Sequence, residues 1–145
     1  MEEGMQIPDS VRELIATGPY AHLVTLNEDG SPQVTLVWVG IENGEFVCGH
    51  MGEWQKVKNV RRDPRVSLSL LGTNKNPMGL LEYLVVYGSA RVTEGGAADL
   101  LQRLARIYMG PDVLFPPEPY RSRPGYITRI EPTRLAGIGP WAGPG

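Results

Sequence analysis

The sequence predicts a mainly β fold of the α+β kind: an antiparallel sheet with peripheral helices, closed as a small barrel or sandwich. Three observations carry this. β-rich runs follow one another in meander order, separated by D-G and N-G turn signals. Only two or three segments show helical spacing, too few to cover both faces of an open sheet. No alternation of strand and helix of the parallel type appears.

The opening segment carries the S-x-x-E spacing at Ser10 and Glu13, which predicts a capping box at a helix start. Val11, Leu14 and Ile15 then form an apolar stripe, and Gly18-Pro19 stops the helix. Tyr20 to Asn27 and Gln33 to Ile41 read as two strands of a hairpin turning at Asp29-Gly30. Glu42-Asn43-Gly44 leads into a third strand, Glu45 to Met51. Within Gln33 to Ile41 one face carries Val34, Leu36 and Trp38, while the other begins polar with Gln33 and Thr35 and turns apolar at Val37 and Val39. A strand apolar on both faces needs two covers: the core on one side, and on the other either a second protomer or a helix outside a barrel lumen.

Glu53 to Asp63 places Trp54, Val57 and Val60 at helical spacing, and Pro64 ends that helix. Arg65 to Leu71 reads as a fourth strand, residues 72–79 as a Gly/Asn/Pro loop, and Leu80 to Val92 as a fifth strand. Ala97, Leu100, Leu101, Leu104, Ile107 and Tyr108 mark the longest amphipathic helix, stopped by Gly110-Pro111. Residues 110–125 hold five of the thirteen prolines and read as an ordered loop or lid. Tyr126 to Ile130 and Arg134 to Ile138 are expected as two short closing strands.

Composition bounds the function. The chain has 145 residues, 41% of them hydrophobic, with formal net charge −2. It reads as one domain over 1–145 that buries roughly 70% of its unfolded surface without a staple. Lone Cys48 forms no internal bridge and, in an apolar strand, reads as a buried inert thiol. No run approaches a membrane span and the first residues do not resemble a secretory leader, so a cytoplasmic address, with no membrane and no nucleic-acid partner, is expected. Phosphate-loop and dinucleotide fingerprints are absent, as is a G-x-S-x-G elbow. His22 and His50 are the two histidines and lie far apart without metal-ligand spacing.

One constellation stands out. Between His50 and Val66, Lys56, Lys58, Arg61, Arg62 and Arg65 face only Glu53 and Asp63, a local charge of +3 in a chain of −2. Set at a strand-to-helix transition, His50-Met51-Gly52-Glu53-Trp54, these cations join free helix N-terminal amides in a pattern suited to a phosphate or carboxylate. A solvated helix with local ion pairs is the plainer reading. Trp54 reads either as a core anchor or as a platform for a planar ring. Gln33 and Thr35 read either as exposed polar residues or as hydrogen-bonding partners of a heterocycle's edge.

The hairpin A-H-L-V-T-L-N-E-D-G-S-P-Q-V-T-L-V-W-V (21–39), the block K-V-K-N-V-R-R-D-P-R-V-S-L-S-L (56–70), the strand around Val86-Tyr87-Gly88-Ser89-Ala90, and the ending R-I-E-P-T-R-L-A-G-I-G-P-W (129–141) together resemble the split β-barrel flavin and deazaflavin proteins related to pyridoxamine 5'-phosphate oxidase. The basic block is the most specific of these. The pattern is most similar to the branch that uses the deazaflavin F420, with FMN as the alternative cofactor.

The resemblance implies an antiparallel split barrel of the FMN-binding type and a homodimer with cofactor sites at the subunit interface. It implies that Lys56, Lys58 and Asn59 hold the cofactor phosphate and that Gln33 and Thr35 lie on the strand passing the ring. His50, Met51 and Trp54 fall in the connection between them. The implied activity is hydride transfer to a small unsaturated or heterocyclic acceptor. An FMN-dependent oxidase or reductase and a non-catalytic carrier are the alternatives. The resemblance assigns no catalytic side chain.

Overall fold

The computed structural model describes residues 5–142. Its elements run α1 (Asp9–Ala16), β1 (Ala21–Leu26), β2 (Pro32–Val37), β3 (Gly40–Glu42), β4 (Glu45–His50), α2 (Gln55–Arg62), β5 (Arg65–Lys75), β6 (Leu81–Glu94), α3 (Ala97–Tyr108), a single 3-10 turn (Tyr120–Ser122) and β7 (Tyr126–Ile138). All strand pairs are antiparallel, in the order β2-β1-β5-β6-β7-β4-β3.

The two edge strands of this sheet, β2 and β3, are consecutive in the chain, with only Trp38 and Val39 between them. Three Cα steps reach at most about 11 Å, so the sheet has to curl until its edges meet at that crossing. The result is a split barrel. Leu23, Phe46, Leu68, Leu70, Leu84, Val86 and Ile130 fill its interior, with α1 closing on them through Val11, Leu14 and Ile15. β4 is apolar on both faces because it has two covers. Phe46 and Cys48 point into the barrel, whereas Val47 packs with Ala97, Leu100 and Leu104 of α3.

Several expectations are corrected. The helix begins at Asp9 with Pro8 as its cap, no side chain caps it, and Ser10 lies inside the first turn. Pro8 wins because its fixed φ suits a helix start and its carbonyl accepts from both Val11 and Arg12. The long strand expected over Gln33 to Ile41 is two strands, broken where the chain crosses from one sheet edge to the other. The fourth and fifth strands extend each other's hairpin to Lys75 and Leu81, shortening the loop to a turn in which the Asn76 carboxamide accepts from the Met78 and Leu80 amides.

The two closing strands are one. Pro132 is tolerated inside β7 because the ladder shifts register there, from Gly88↔Pro132 to Tyr87↔Arg134, leaving Thr133 as a bulge. The Thr133 hydroxyl donates to the Tyr87 carbonyl (3.1 Å). Gly88 is required opposite: a Cβ would fall 2.6 Å from the Glu131 carbonyl oxygen.

Candidate functional site

The ends of β2 and β4, the start of α2, the side of α3 and the loop after α3 surround a cavity of about 460 Å³. From the barrel come Leu36, Val37, Trp38, Gly49 and His50; from the β4–α2 connection Met51 and Trp54; from α2 Lys56; and from the far side Leu101, Phe115, Pro116, Pro117 and Tyr120, with Tyr20 before β1. This size and apolar lining with few polar groups are those of small-molecule sites.

Lys56 is the one formally charged side chain in the lining. It is half-buried and, among the described residues, has no carboxylate within ion-pair distance. Burial pushes its ammonium below the ordinary lysine value. An unpaired cation in an apolar wall is costly unless an anion joins it, so the lining fits a ligand with an apolar body and an anionic group. A larger depression of about 600 Å³ near the β3–β4 turn lacks this asymmetry: its lining combines Asp9, Glu45 and Glu131 with Arg12, and Glu45 is already paired with Arg91.

His50 is almost fully buried, and its Nε2 lies 2.9 Å from the Thr128 hydroxyl oxygen. Burial first, and the Lys56 charge second, hold it near a pKa of about 3, so the ring is neutral at ordinary pH. Behind it, burial pushes the Cys48 thiol up to about 12. Trp54 is no core anchor: it is 52% exposed and its indole lies over Gly52, whose lack of a Cβ makes room for it.

The remaining sequence candidates fall elsewhere. Asn59 is fully buried at the centre of a polar network. Its amide nitrogen donates to Thr25 Oγ1 (3.0 Å), Asn27 Oδ1 (2.9 Å) and Gln33 Oε1 (3.2 Å), and its oxygen accepts from Gln55 (2.8 Å) and Arg62 (3.2 Å). Arg62 also donates to the Leu26 carbonyl. Gln33 therefore faces α2, not the cavity. The neighbouring Thr35 hydroxyl is buried without a hydrogen-bond partner among the described residues. Lys58 projects from the exposed face of α2.

Sequence reasoning did not single out Tyr20, Trp38, Leu101, Phe115 or Tyr120 as lining. The signal for the last two was the proline-rich loop. Trp38 carried none, because its place depends on the break between β2 and β3.

A split barrel with a cationic cavity at one end is thus the class that fold and site define. The family model described as pyridoxamine 5'-phosphate oxidase matches residues 7–138, and the chain belongs to that family. No curated protein matches the chain. Among solved structures, an F420 reductase is 25% identical with TM-score 0.71, covering 90% of this chain and 98% of its own. A conserved hypothetical protein of Mycobacterium tuberculosis is 23% identical, with TM-score 0.69 and coverage of 94% and 87%. HupZ of Group A Streptococcus is 17% identical, with TM-score 0.64 and coverage of 97% and 100%. The last two share the fold.

Proposed function

We propose that this protein is an F420-dependent oxidoreductase whose site is the Lys56 cavity. The single observation that carries the reading is the unpaired, half-buried Lys56 ammonium set in an otherwise apolar and aromatic wall. The likeness to an F420 reductase at 25% identity supports the choice of cofactor. When bound, the reduced deazaflavin supplies a hydride to a small unsaturated or heterocyclic acceptor, and a proton from solvent completes the reduction.

The chain's own residues then have separable tasks. Lys56 neutralises the anionic group, with Lys58 adding charge from the outer face of α2. His50, Met51 and Trp54 form the wall beside it. Asn59 and Gln33 hold α2 in place, and the Thr35 hydroxyl retains a free hydrogen-bonding capacity on β2. The apolar lining limits water around donor and acceptor.

We further propose a homodimer. Val34 and Leu36 on β2 are 58% and 57% exposed, and the ladder sets them in rows with Val24 and Tyr87 and with His22 and Val85 on the outer face of the sheet. Leu36 belongs both to that face and to the cavity rim, so a second copy seated there borders the site.

The test is titration of the purified protein with oxidised and reduced F420, followed by fluorescence. Saturable binding, with turnover against a panel of quinones and conjugated heterocycles, is expected. No saturable binding rejects the reading, and a yellow protein with flavin spectra assigns the cavity to FMN instead. Tight F420 binding without turnover of any acceptor makes it a carrier.

A further inference from the structure

Away from the Lys56 cavity, the outer face of β2, β1, β5 and β6 holds one group that its apolar surroundings do not explain. His22 is exposed inside the row Leu36, His22, Ser69, Val85, which the pairings His22↔Leu36, His22↔Ser69 and Ser69↔Val85 define. The row on one side is Val34, Val24, Ser67 and Tyr87, and on the other Leu71 pairs with Tyr83. Beside His22 lies a cavity of about 510 Å³ lined by residues 17–20, His22 and residues 69–73. Apart from His22, Tyr20 is the one titratable side chain in that lining among the described residues.

Fixed charges keep to the margins of this face. β1 and β2 carry none. On β5, Arg65 and Lys75 stand at the two ends, and Arg65 is paired with Asp63 (2.8 Å). On β6, Glu82 lines a separate depression against α1, Arg91 pairs with Glu45, and Glu94 ends the strand. From β7, the Arg134 guanidinium lies over the Tyr87 ring, 5.2 Å from its centroid. Among the described residues no carboxylate is within ion-pair distance of His22.

A face of this kind suits a second copy of itself. In a two-fold contact each residue meets the same set of residues, which fixed like charges would oppose and apolar rows favour. We propose that His22 is a proton switch in the homodimer of this chain: two copies join over this face with both imidazoles neutral and part when the imidazoles are protonated. The inference rests on the homodimer reading above and on nothing about the cofactor. Imidazole is the side chain that changes charge between about pH 5 and 8. Water solvates the charged ring in a free protomer, whereas two apolar faces without a carboxylate offer it neither water nor a counter-ion. Proton uptake therefore favours separate protomers, and the two-fold axis places two such rings in every dimer. Leu36 pairs with His22 and also borders the Lys56 cavity, so acid uncovers that rim as well.

The experiment is sedimentation velocity over a concentration series at about pH 7.5 and about pH 5.5, spanning the imidazole range. Native protein, His22→Leu and His22→Gln are compared, with circular dichroism recorded at each pH. The dimer dissociation constant of the native protein is expected to rise about tenfold or more on acidification, as two protons enter per dimer. Both variants are expected to stay dimeric, with a constant that moves less than about twofold. His50 does not blur the comparison: held at about 3, it takes up no proton in the folded protein over this range, and all three proteins carry it.

Dilution calorimetry near neutral pH, in two buffers of different ionisation enthalpy, is expected to register proton uptake as the native dimer separates and none for His22→Leu. A native dimer equally tight at both pH values overturns the switch and leaves the homodimer standing. So do variants that dissociate in acid as the native protein does. Native protein that is monomeric at micromolar concentration at both pH values overturns the homodimer reading and the switch with it.

Discussion

Lys56 and Lys58 show what a residue's place on a helix decides. They are two positions apart, and at about 100° per residue they point to nearly opposite sides of α2. One lines the cavity and the other is exposed. The sequence displays the basic cluster but not which cation turns inward, because that depends on the angle at which α2 docks. Lys56→Ala is therefore expected to weaken F420 binding by roughly 1–3 kcal/mol, and Lys58→Ala by less, in the same fluorescence titration. Since the Lys56 ammonium already titrates below the ordinary lysine range, binding should also weaken as pH rises, sooner than an ordinary lysine would dictate. His50 supplies a second pH dependence. Its folded pKa of about 3 lies below the ordinary imidazole value of 6.5 that the unfolded chain keeps, so in that window the unfolded chain takes up a proton that the native state refuses. Stability is complete above about pH 6.5 and is lost on acidification, by up to roughly 1.4 kcal/mol for each pH unit crossed. Thermal melts between pH 7 and 4 should fall more steeply for the native protein than for His50→Gln, which keeps a partner for Thr128. Parallel curves would show that His50 does not set the acid limb.

At the scale of elements, α2 is the piece on which the site turns. It is eight residues long, too short to be stable alone, and carries no side-chain cap at its start. What holds it is the burial of Val57 and Val60 together with the Asn59 network reaching Thr25, Asn27 and Gln33. Asn59→Ala strands those three groups and the Arg62 contact, and should cost about 2–3 kcal/mol in denaturant unfolding. Because α2 also carries Lys56, the same variant should lose F420 affinity although Asn59 lines no part of the cavity. Unchanged stability would remove the network from this role. The β1–β2 hairpin, the turn into β4 and the helices, the basic α2 among them, were legible from periodicity and turn residues; a meander through the first strands was not what formed, because β2 and β3 lie at opposite edges of the sheet. The break between β2 and β3 and the fusion across Pro132 were not legible. Each answers to a constraint from another strand: a sheet edge that must be crossed, and a bulge opposite Gly88.

For the whole molecule, the outer face of β2, β1, β5 and β6 is the large unfinished surface. Val34, Leu36, Leu71 and Tyr87 are all more than 40% exposed there. The apolar pattern of residues 33–39 asks for two covers; Val37 and Val39 find the inner one in the barrel core, and the outer one is the homodimer face proposed above. Leu36→Lys should shift the protein toward monomer in light scattering and weaken F420 binding at the shared rim, while leaving the circular-dichroism spectrum of the barrel unchanged. A variant that stays dimeric, or a native protein that is monomeric at micromolar concentration, would rule this face out. The crossing at Trp38–Val39 carries a consequence of another sort. The strands it joins are neighbours in the chain but sit at opposite ends of the ladder order, so neither direct pairing nor local collapse can bring them to their final stations early. The ring shuts only when β1 has found β5 and β4 has found β7, partners about forty-five and about eighty residues apart in the chain, and pairings of that range are the slow kind.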